Sequence, residues 1–482
     1  MASASKAGGS NKIVKQMIIF CLLAAIGWII PPVNGLTPAG AKMLGVLMAV
    51  IYGWTATSEA WPSLLAFILI LLTGVTDLTG LLAVSWGNDI VLFMVLLFVF
   101  MSFIDKTGAA NFIAAWLLTR KFLNGHPYRL LGMIFLVGWV LCTFVNQIAG
   151  VFITWSILYQ VIGILGYKPY DKFSTITLFG VVAMAALSLS SLPWAHNALV
   201  ILNSYAAQTG TPVDMMHYLC YSLPFVTFSL LGYLVLCRWV FRLDVSRLKD
   251  LKMDFFSEKD LTCTPERKIA LLSLLAMVIL IIIPSIFPAE WAITQIMASI
   301  GLSAKLMLII VVLAAIRVEG KHVFDFAELA TKGTPWNMLM MTVTIMAFVG
   351  LLATPATGLS AFLGSMLAPI FDGISLIWFF LAAVIVTVIL TNITINMVVA
   401  MLMITVTMPI AANLGLPPEQ VVYLITVCCT IAFALPAASP AGMLLFSNSQ
   451  WIKPKDAYKY AVATILMMAV VALLWNLVLF MF

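Results

Sequence analysis

The sequence predicts an all-α polytopic membrane protein built from two homologous halves. Three observations predict it: the composition, the recurrence of long apolar runs, and an internal repeat. Of the 482 residues 63% are hydrophobic and 9% are charged, where a soluble domain carries roughly 25% charged side chains, so a soluble globular protein is excluded. A helix that crosses the hydrocarbon core needs about 20 apolar residues. Such runs recur at Ile13 to Ile30, Ile90 to Ile104, Leu219 to Val240, Ile269 to Ile283 and Tyr460 to Phe482. By that length rule the chain holds roughly ten spans or half-spans.

Taken in order, residues 1–42 form an N-terminal tail and a first span. Met1 to Gln16 is polar, with Lys6, Lys12 and Lys15, and the apolar run behind it lacks a small-residue cleavage site, so it reads as a span and not a cleaved signal peptide. Lys and Arg beside short loops stay in the cytoplasm. That places Lys6 to Lys15 and Arg238 to Lys268 on the cytoplasmic side, with the bacterial inner membrane as the expected location. The net charge of +6 is therefore topological; lipid is an expected partner and nucleic acid is not. A first repeat occupies residues 43–241. A charged linker, 242–268, reads as a solvated segment with an interfacial helix, and a second repeat occupies 269–482. The seven cysteines sit mostly within apolar segments without metal-ligand spacing, and read as small core hydrophobes.

The repeat is visible in three places. Thr107-Gly108-Ala109-Ala110-Asn111-Phe112 matches Thr357-Gly358-Leu359-Ser360-Ala361-Phe362 at an offset of 250 residues. At the same offset Asn146, in Thr143-Phe144-Val145-Asn146-Gln147, matches Asn396, in Asn392-Ile393-Thr394-Ile395-Asn396-Met397. Third, Ser188-Leu189-Ser190-Ser191-Leu192-Pro193 interrupts one apolar segment and Pro436-Ala437-Ala438-Ser439-Pro440-Ala441-Gly442 another. Three matches in one order indicate duplication, and breaks at corresponding places in two halves point to a transporter's binding site.

The lengths suggest how the breaks are built. Leu131 to Phe144 has 14 residues, about 21 Å of helix against a hydrocarbon core of about 30 Å. A re-entrant hairpin turning near Asn146 and returning through Val151 to Leu165 fits. A second would run from about Leu376 through Asn396 to Ala411. Helix breaks free backbone groups, and at membrane depth those are tolerated only beside a cavity or ligand. Free N–H groups at half-helix N-termini favour an anion, while unwound carbonyls and Asn oxygens can ligate Na⁺. Between Pro335 and Gln450 the charged residues are Asp372 and Glu419, both beside turns, so a carboxylate proton relay is not expected there. His196, just after the Ser-rich break, is the ionisable candidate in the first half, as an anion ligand or proton carrier.

At these residues the chain resembles the divalent anion:sodium symporter family of the ion-transporter superfamily. Gly320-Lys321-His322-Val323-Phe324-Asp325-Phe326, Gly333-Thr334-Pro335-Trp336 and Ala356-Thr357-Gly358-Leu359-Ser360 are similar to the family's entry into its second repeat, and Ile431-Ala432-Phe433-Ala434-Leu435-Pro436 to its last broken helix. The resemblance implies about 11 transmembrane helices plus two re-entrant hairpins in two inverted repeats. It also implies a homodimer and elevator-type transport of a small organic anion, a di- or tricarboxylate, with Na⁺. Its hairpin-tip motif falls on Val145-Asn146-Gln147 and Ile395-Asn396-Met397, where both Asn are kept and the flanking Ser and Thr are replaced.

The expected substrate residues are thus Asn146, Gln147, Asn396, Met397, Pro193, His196, Ser439 and Pro440. The expected Na⁺ ligands, partly through backbone carbonyls, are Asn146, Asn396, Val145, Ile395, Ser190 and Ala438. No cofactor beyond the coupling ion is expected. A proton-coupled carboxylate transporter or an anion exchanger using His196 is the alternative. The sequence carries no His-Glu-x-x-His or Gly-x-Ser-x-Gly motif, so nothing points to an intramembrane enzyme, and the paired hairpins favour alternating access over a channel.

Overall fold

The computed structural model describes residues 2–481 apart from 34, 58–59, 145–146, 252–255, 289, 353, 359–361, 363–374, 394–395 and 436–437. Among the described residues eight helices are long and apolar enough to cross a membrane, or up to ten if each of two bent pairs counts as one span. Among the described residues the only strands are a ribbon of β1 (Arg317–Val318) against β2 (Lys321–His322).

Three helices lead in: α1 (Ala2–Ile29), α2 (Pro38–Ala56) and α3 (Trp61–Thr73). A series then follows that occurs twice. In the first half α4 (Leu78–Val84) meets α5 (Asp89–Lys106) at a bend of 53°. Next come α6 (Ala109–Leu118), the pair α7 (Pro127–Phe144) and α8 (Gln147–Ile164), the broken pair α9 (Lys172–Ser191) and α10 (His196–Thr209), and α11 (Met215–Val235). The one-turn α12 (Glu258–Leu261), with α13 (Pro265–Ile286), α14 (Ala292–Ser299) and α15 (Gly301–Ala315), separates the two series. In the second, α16 (Phe326–Gly333) bends by 82° onto α17 (Trp336–Leu352), because Pro335 has no N–H with which to continue α16. The pair α18 (Leu376–Ile393) and α19 (Asn396–Asn413), the broken pair α20 (Pro418–Cys429) and α21 (Pro440–Ser447), and α22 (Pro454–Met481) complete it.

The Thr-Gly match holds at the level of the backbone. The hydroxyls of Thr107 and Thr357 donate to the carbonyls of Ile104 and Thr354, at 2.8 and 2.9 Å. Gly108 and Gly358 have φ of 68° and 64°, a region that glycine enters without a Cβ clash, and their carbonyls accept from Phe112 and Phe362 at 3.2 and 3.0 Å. At the hairpins the outer ends of α18 and α19, Leu376 and Asn413, lie 249 residues beyond the outer ends of α7 and α8, Pro127 and Ile164, while both tips, 145–146 and 394–395, lie outside the described residues.

The first hairpin arm is longer than expected, with 18 residues and not 14, because Pro127, Tyr128 and Arg129 start the helix a turn earlier. A Cβ at Gly150 would stand 2.6 Å from the Cys142 nitrogen, and one at Gly138 would stand 3.5 Å from the Thr154 methyl. These pairs step in opposite directions along the chain, so α7 and α8 run antiparallel with a register centred on position 146. Helix α9 lies at the centre of the molecule, with Leu189 the one residue between Phe173 and Leu192 that is not buried. It packs against α7, α8, α10, α11 and, from the second half, α20, α21 and α22. A helix that is apolar all round belongs in such a place. Among the described residues of the linker the helical elements are a 3-10 turn at Ser246–Asp250 and α12, which opens with a capping box between Ser257 and Asp260.

Candidate functional site

Helix α9 ends where its sequence undermines it. The hydroxyls of Ser188 and Ser191 bond back to the carbonyls of Ala185 and Ser188, at 2.7 and 3.1 Å, which competes with the helical ladder. Leu192, held extended by the following Pro193, stops the helix at φ −120° and ψ 143°. The carbonyls of Ser190 and Ser191 lose their helical partners here, and Tyr218 and Ser222 of α11 donate to them at 2.5 and 2.8 Å. Beyond the break α10 starts at His196 with Ala195 as its N-cap, so no side chain caps its first N–H groups, although Asn197 and Ala198 are buried. A helix N-terminus left open in a buried place carries partial positive charge and attracts an anion.

The tip of the first hairpin is tied to this break. Gln147, the first residue of α8 and buried, donates from Nε2 to the Ala185 carbonyl at 2.8 Å. Thr143, in the last turn of α7, brings its hydroxyl to 3.5 Å from that of Ser191. Val145 and Asn146, and Ile395 at the second tip, lie outside the described residues.

The second hairpin is tied to its own break more strongly. Helix α20 ends at Cys429, and Asn392, in the last turn of α18, spans the unwound stretch that follows. Its Nδ2 donates to the carbonyls of Val388 and Ile431 at 2.9 and 2.7 Å, and its Oδ1 accepts from the N–H groups of Phe433 and Ala434 at 3.1 and 2.8 Å. Thr391 lies 2.5 Å from the Cys429 carbonyl and 3.1 Å from the Asn396 amide. The hydroxyl has one proton and a carbonyl can only accept, so that proton goes to Cys429 and Asn396 must present its NH₂ to Thr391. The Asn396 oxygen then lies on the side of its amide away from Thr391. Met397 beside it is buried. Ser439 donates to the Ala432 carbonyl and accepts from the Gly442 N–H at 3.1 Å, capping α21; Ala438 is buried, and Pro440, the first residue of α21, is exposed.

The two breaks meet. The Ser190 and Thr430 hydroxyls are 2.8 Å apart and buried, and since Thr430 donates to the Val427 carbonyl, Ser190 is the donor between them. Ser190, expected as a cation ligand, thus serves as a clasp between the halves. His196 stands apart from this network: its ring nitrogens lie 3.0 Å from Asn197 Oδ1 and 3.1 Å from the Thr342 hydroxyl of α17, and its ring stacks on Phe98 of α5 at 6.2 Å. Pro193 lies buried between Leu192 and Trp194 in the first break.

Asn392, Thr391 and Thr430 were not among the residues expected. A signal for Asn392 existed, because at an offset of 249 it corresponds to Thr143, and both aim a polar side chain from the last turn of a hairpin arm at the break of their own half. Among the described residues no group of three or more His, Cys, Asp and Glu is placed to hold a metal ion. The two breaks and the hairpin arms instead bring together neutral side-chain oxygens, backbone carbonyls and an uncapped helix start.

A sequence model of the citrate transporter family matches residues 46–307, more than half of the chain. No curated protein matches the sequence. Among solved structures the Alcanivorax borkumensis YdaH transporter, described as having an unusual topology, superposes with a TM-score of 0.54 over 83% of this chain and 86% of its own, at 13% identity. At that identity the likeness is one of fold.

Proposed function

Given that the chain belongs to the citrate transporter family, we propose that it is a secondary transporter of a di- or tricarboxylate coupled to Na⁺, working by elevator-type alternating access as a homodimer in the bacterial inner membrane. The membership and the transporter fold bear out the resemblance to the divalent anion:sodium symporters seen in the sequence. The chain is an integral membrane protein by its apolar helices and its family.

The observation that carries the proposal is the buried Ser190–Thr430 hydrogen bond, which joins two helix breaks, each holding the tip of its own hairpin. Carboxylate oxygens would be met by the open N-terminus of α10 and by the first turns of α8 and α19, where partial positive charge costs no further desolvation. The Asn396 oxygen and carbonyls of the stretch after α20 would ligate Na⁺. Packing supports the moving unit of the elevator reading, since α7 to α10 and α18 to α21 touch one another around α9 and α20. Two inverted repeats would account for the paired series of elements.

Purified protein in liposomes, offered radiolabelled citrate, succinate and malate, tests this. Saturable uptake driven by an inward Na⁺ gradient and abolished by choline replacement is expected. No uptake of any of the three would overturn the carboxylate reading, and uptake indifferent to Na⁺ would overturn the coupling.

A proton-coupled reading has one observation in its favour. Thr342 donates to the Met338 carbonyl at 3.0 Å, so its oxygen accepts from His196 Nε2–H. Rotating the Asn197 amide would then let Nδ1 of the same imidazole either accept or donate. In that case uptake would follow a pH gradient and lose its pH dependence in His196→Gln.

A further inference from the structure

A second cluster of charge lies away from the hairpin tips, at the end of the molecule that carries the charged linker. There the end of α8, the start of α9 and the end of α11 surround a cavity of about 340 Å³ lined by Lys168, Lys172, Arg242 and Arg247 together with Asp171 and Asp244. Four cations face two carboxylates, and both carboxylates are turned to their own backbone: Asp171 accepts from the Lys168 N–H at 2.7 Å and Asp244 from the Ser246 N–H at 2.9 Å. With Asp171 so engaged, α9 has no side-chain cap, and its first N–H groups add positive potential beside Lys172. Arg247 is positioned by a bond to the Leu165 carbonyl at 3.0 Å and by the Tyr167 ring at 4.7 Å. Lys168, Lys172 and Arg242 form no ion pair; those of the described residues join Glu328 to Lys106 and Lys332.

The backbone shows that Arg242 is held there at a cost. Among the described residues three non-glycines have positive φ; Arg242 at 47° lines this cavity, and Tyr170 at 70° lies in the loop between its lining residues Lys168 and Asp171. Arg242 closes α11, with the Leu243 N–H reaching back to the Cys237 carbonyl at 2.8 Å beyond the π-turn at Leu236–Val240. The residue at such a left-handed helix end is usually glycine, which adopts the conformation without strain. The Arg242 side chain lines the cavity, and strain of this kind gathers where a side chain serves a ligand.

We propose that this cavity binds the phosphate group of an anionic ligand, presented by an acidic phospholipid of the adjoining leaflet. A basic pocket where spans reach the membrane surface suits such a headgroup, and guanidinium and ammonium donors converge on it as phosphate recognition requires. The loop that forms one wall is also tied to the second half: Tyr170 donates from its N–H to the Trp451 carbonyl and from its hydroxyl to the Ser449 carbonyl, at 3.1 and 3.0 Å. Occupancy would therefore steady the segment that follows α21. This inference stands independently of the substrate and coupling ion proposed above.

The test uses the full chain in nanodiscs of phosphatidylcholine, with and without phosphatidylglycerol, and in detergent with and without inorganic phosphate, read by thermal unfolding. Wild type should melt higher with phosphatidylglycerol. R242G and the double variant K168Q/K172Q should lose most of that increment, while R242G in phosphatidylcholine alone should melt at or above wild type, because glycine relieves the left-handed strain. Full stabilisation by inorganic phosphate in detergent, lost in the same variants and with no added effect of lipid, would uphold the phosphate site and assign it to a soluble ligand. An increment unchanged in the variants, its absence in wild type with both probes, or an R242G that melts lower in phosphatidylcholine would overturn the proposal.

Discussion

Replacing Asn392 by Ala should cost more than any other single polar substitution at the breaks. The side chain makes four hydrogen bonds, and two of them serve the N–H groups of Phe433 and Ala434 in a stretch without a helical ladder. Val388 keeps its helical partner when Asn392 is lost, so its contribution is small. Phe433 and Ile431 are fully buried, and no water reaches them in compensation. Leaving a buried donor unpaired costs about 1–3 kcal/mol, in full for the Phe433 N–H and less for that of Ala434, which is only half-buried. Side-chain hydrogen bonds between membrane helices average only about 0.6 kcal/mol, because the unfolded chain in the membrane finds other partners; four at that value give about 2.4 kcal/mol. The second figure sets the floor, since here backbone and not only side chain is stranded. A loss of about 2–4 kcal/mol, roughly 30- to 1,000-fold in the folding equilibrium, is expected for Asn392→Ala. Reversible unfolding in mixed micelles measures it, and hydrogen exchange at the Phe433 and Ala434 amides locates it. Asn392→Asp, which keeps the acceptor and loses the donor, should protect those two amides better than Ala does. If Asn392→Ala unfolds with wild-type stability and leaves both amides slow to exchange, the suture does not hold the break and the reasoning fails.

Gly150→Ala should destabilise by about 1–3 kcal/mol, the usual penalty of overpacking, because its Cβ would meet the Cys142 backbone at 2.6 Å; Gly138→Ala meets side chains at 3.4 Å or more and should be near neutral in the same unfolding assay. A double-mutant cycle of Ser190→Ala with Thr430→Val should show a coupling on the order of 1 kcal/mol; additive effects would mean that the clasp between the two breaks contributes nothing. Asn396→Ala and Asn146→Ala should each abolish carboxylate uptake in liposomes while the purified proteins keep wild-type size-exclusion profiles; normal uptake by both would remove the hairpin tips from the binding site.

Much of the architecture was legible because lipid imposes a local rule. Each crossing segment must be apolar and must satisfy its own backbone, so spans, halves and breaks appear in the sequence as runs, repeats and interruptions. Ser188 to Pro193 announces the end of α9 by chemistry confined to six residues, and the left-handed turn at Gly108 and Gly358 explains why that dipeptide survives in both halves. The candidate site was legible only in part. Asn396 could be picked out as a polar residue in an apolar run, but the same test applied equally to Asn392, and nothing local shows which of the two holds the broken helix.

By itself the sequence determined the membrane-spanning helical class, the duplicated plan and the positions of the breaks, all properties of segments a few turns long. The tertiary structure decided the partner of each polar side chain. It alone showed that Ser190 reaches Thr430, 240 residues away, and that His196 reaches Thr342 of α17. Hydropathy is fixed residue by residue, whereas a hydrogen bond depends on which two helices the packing brings together, and for Ser190 and His196 those helices come from opposite halves.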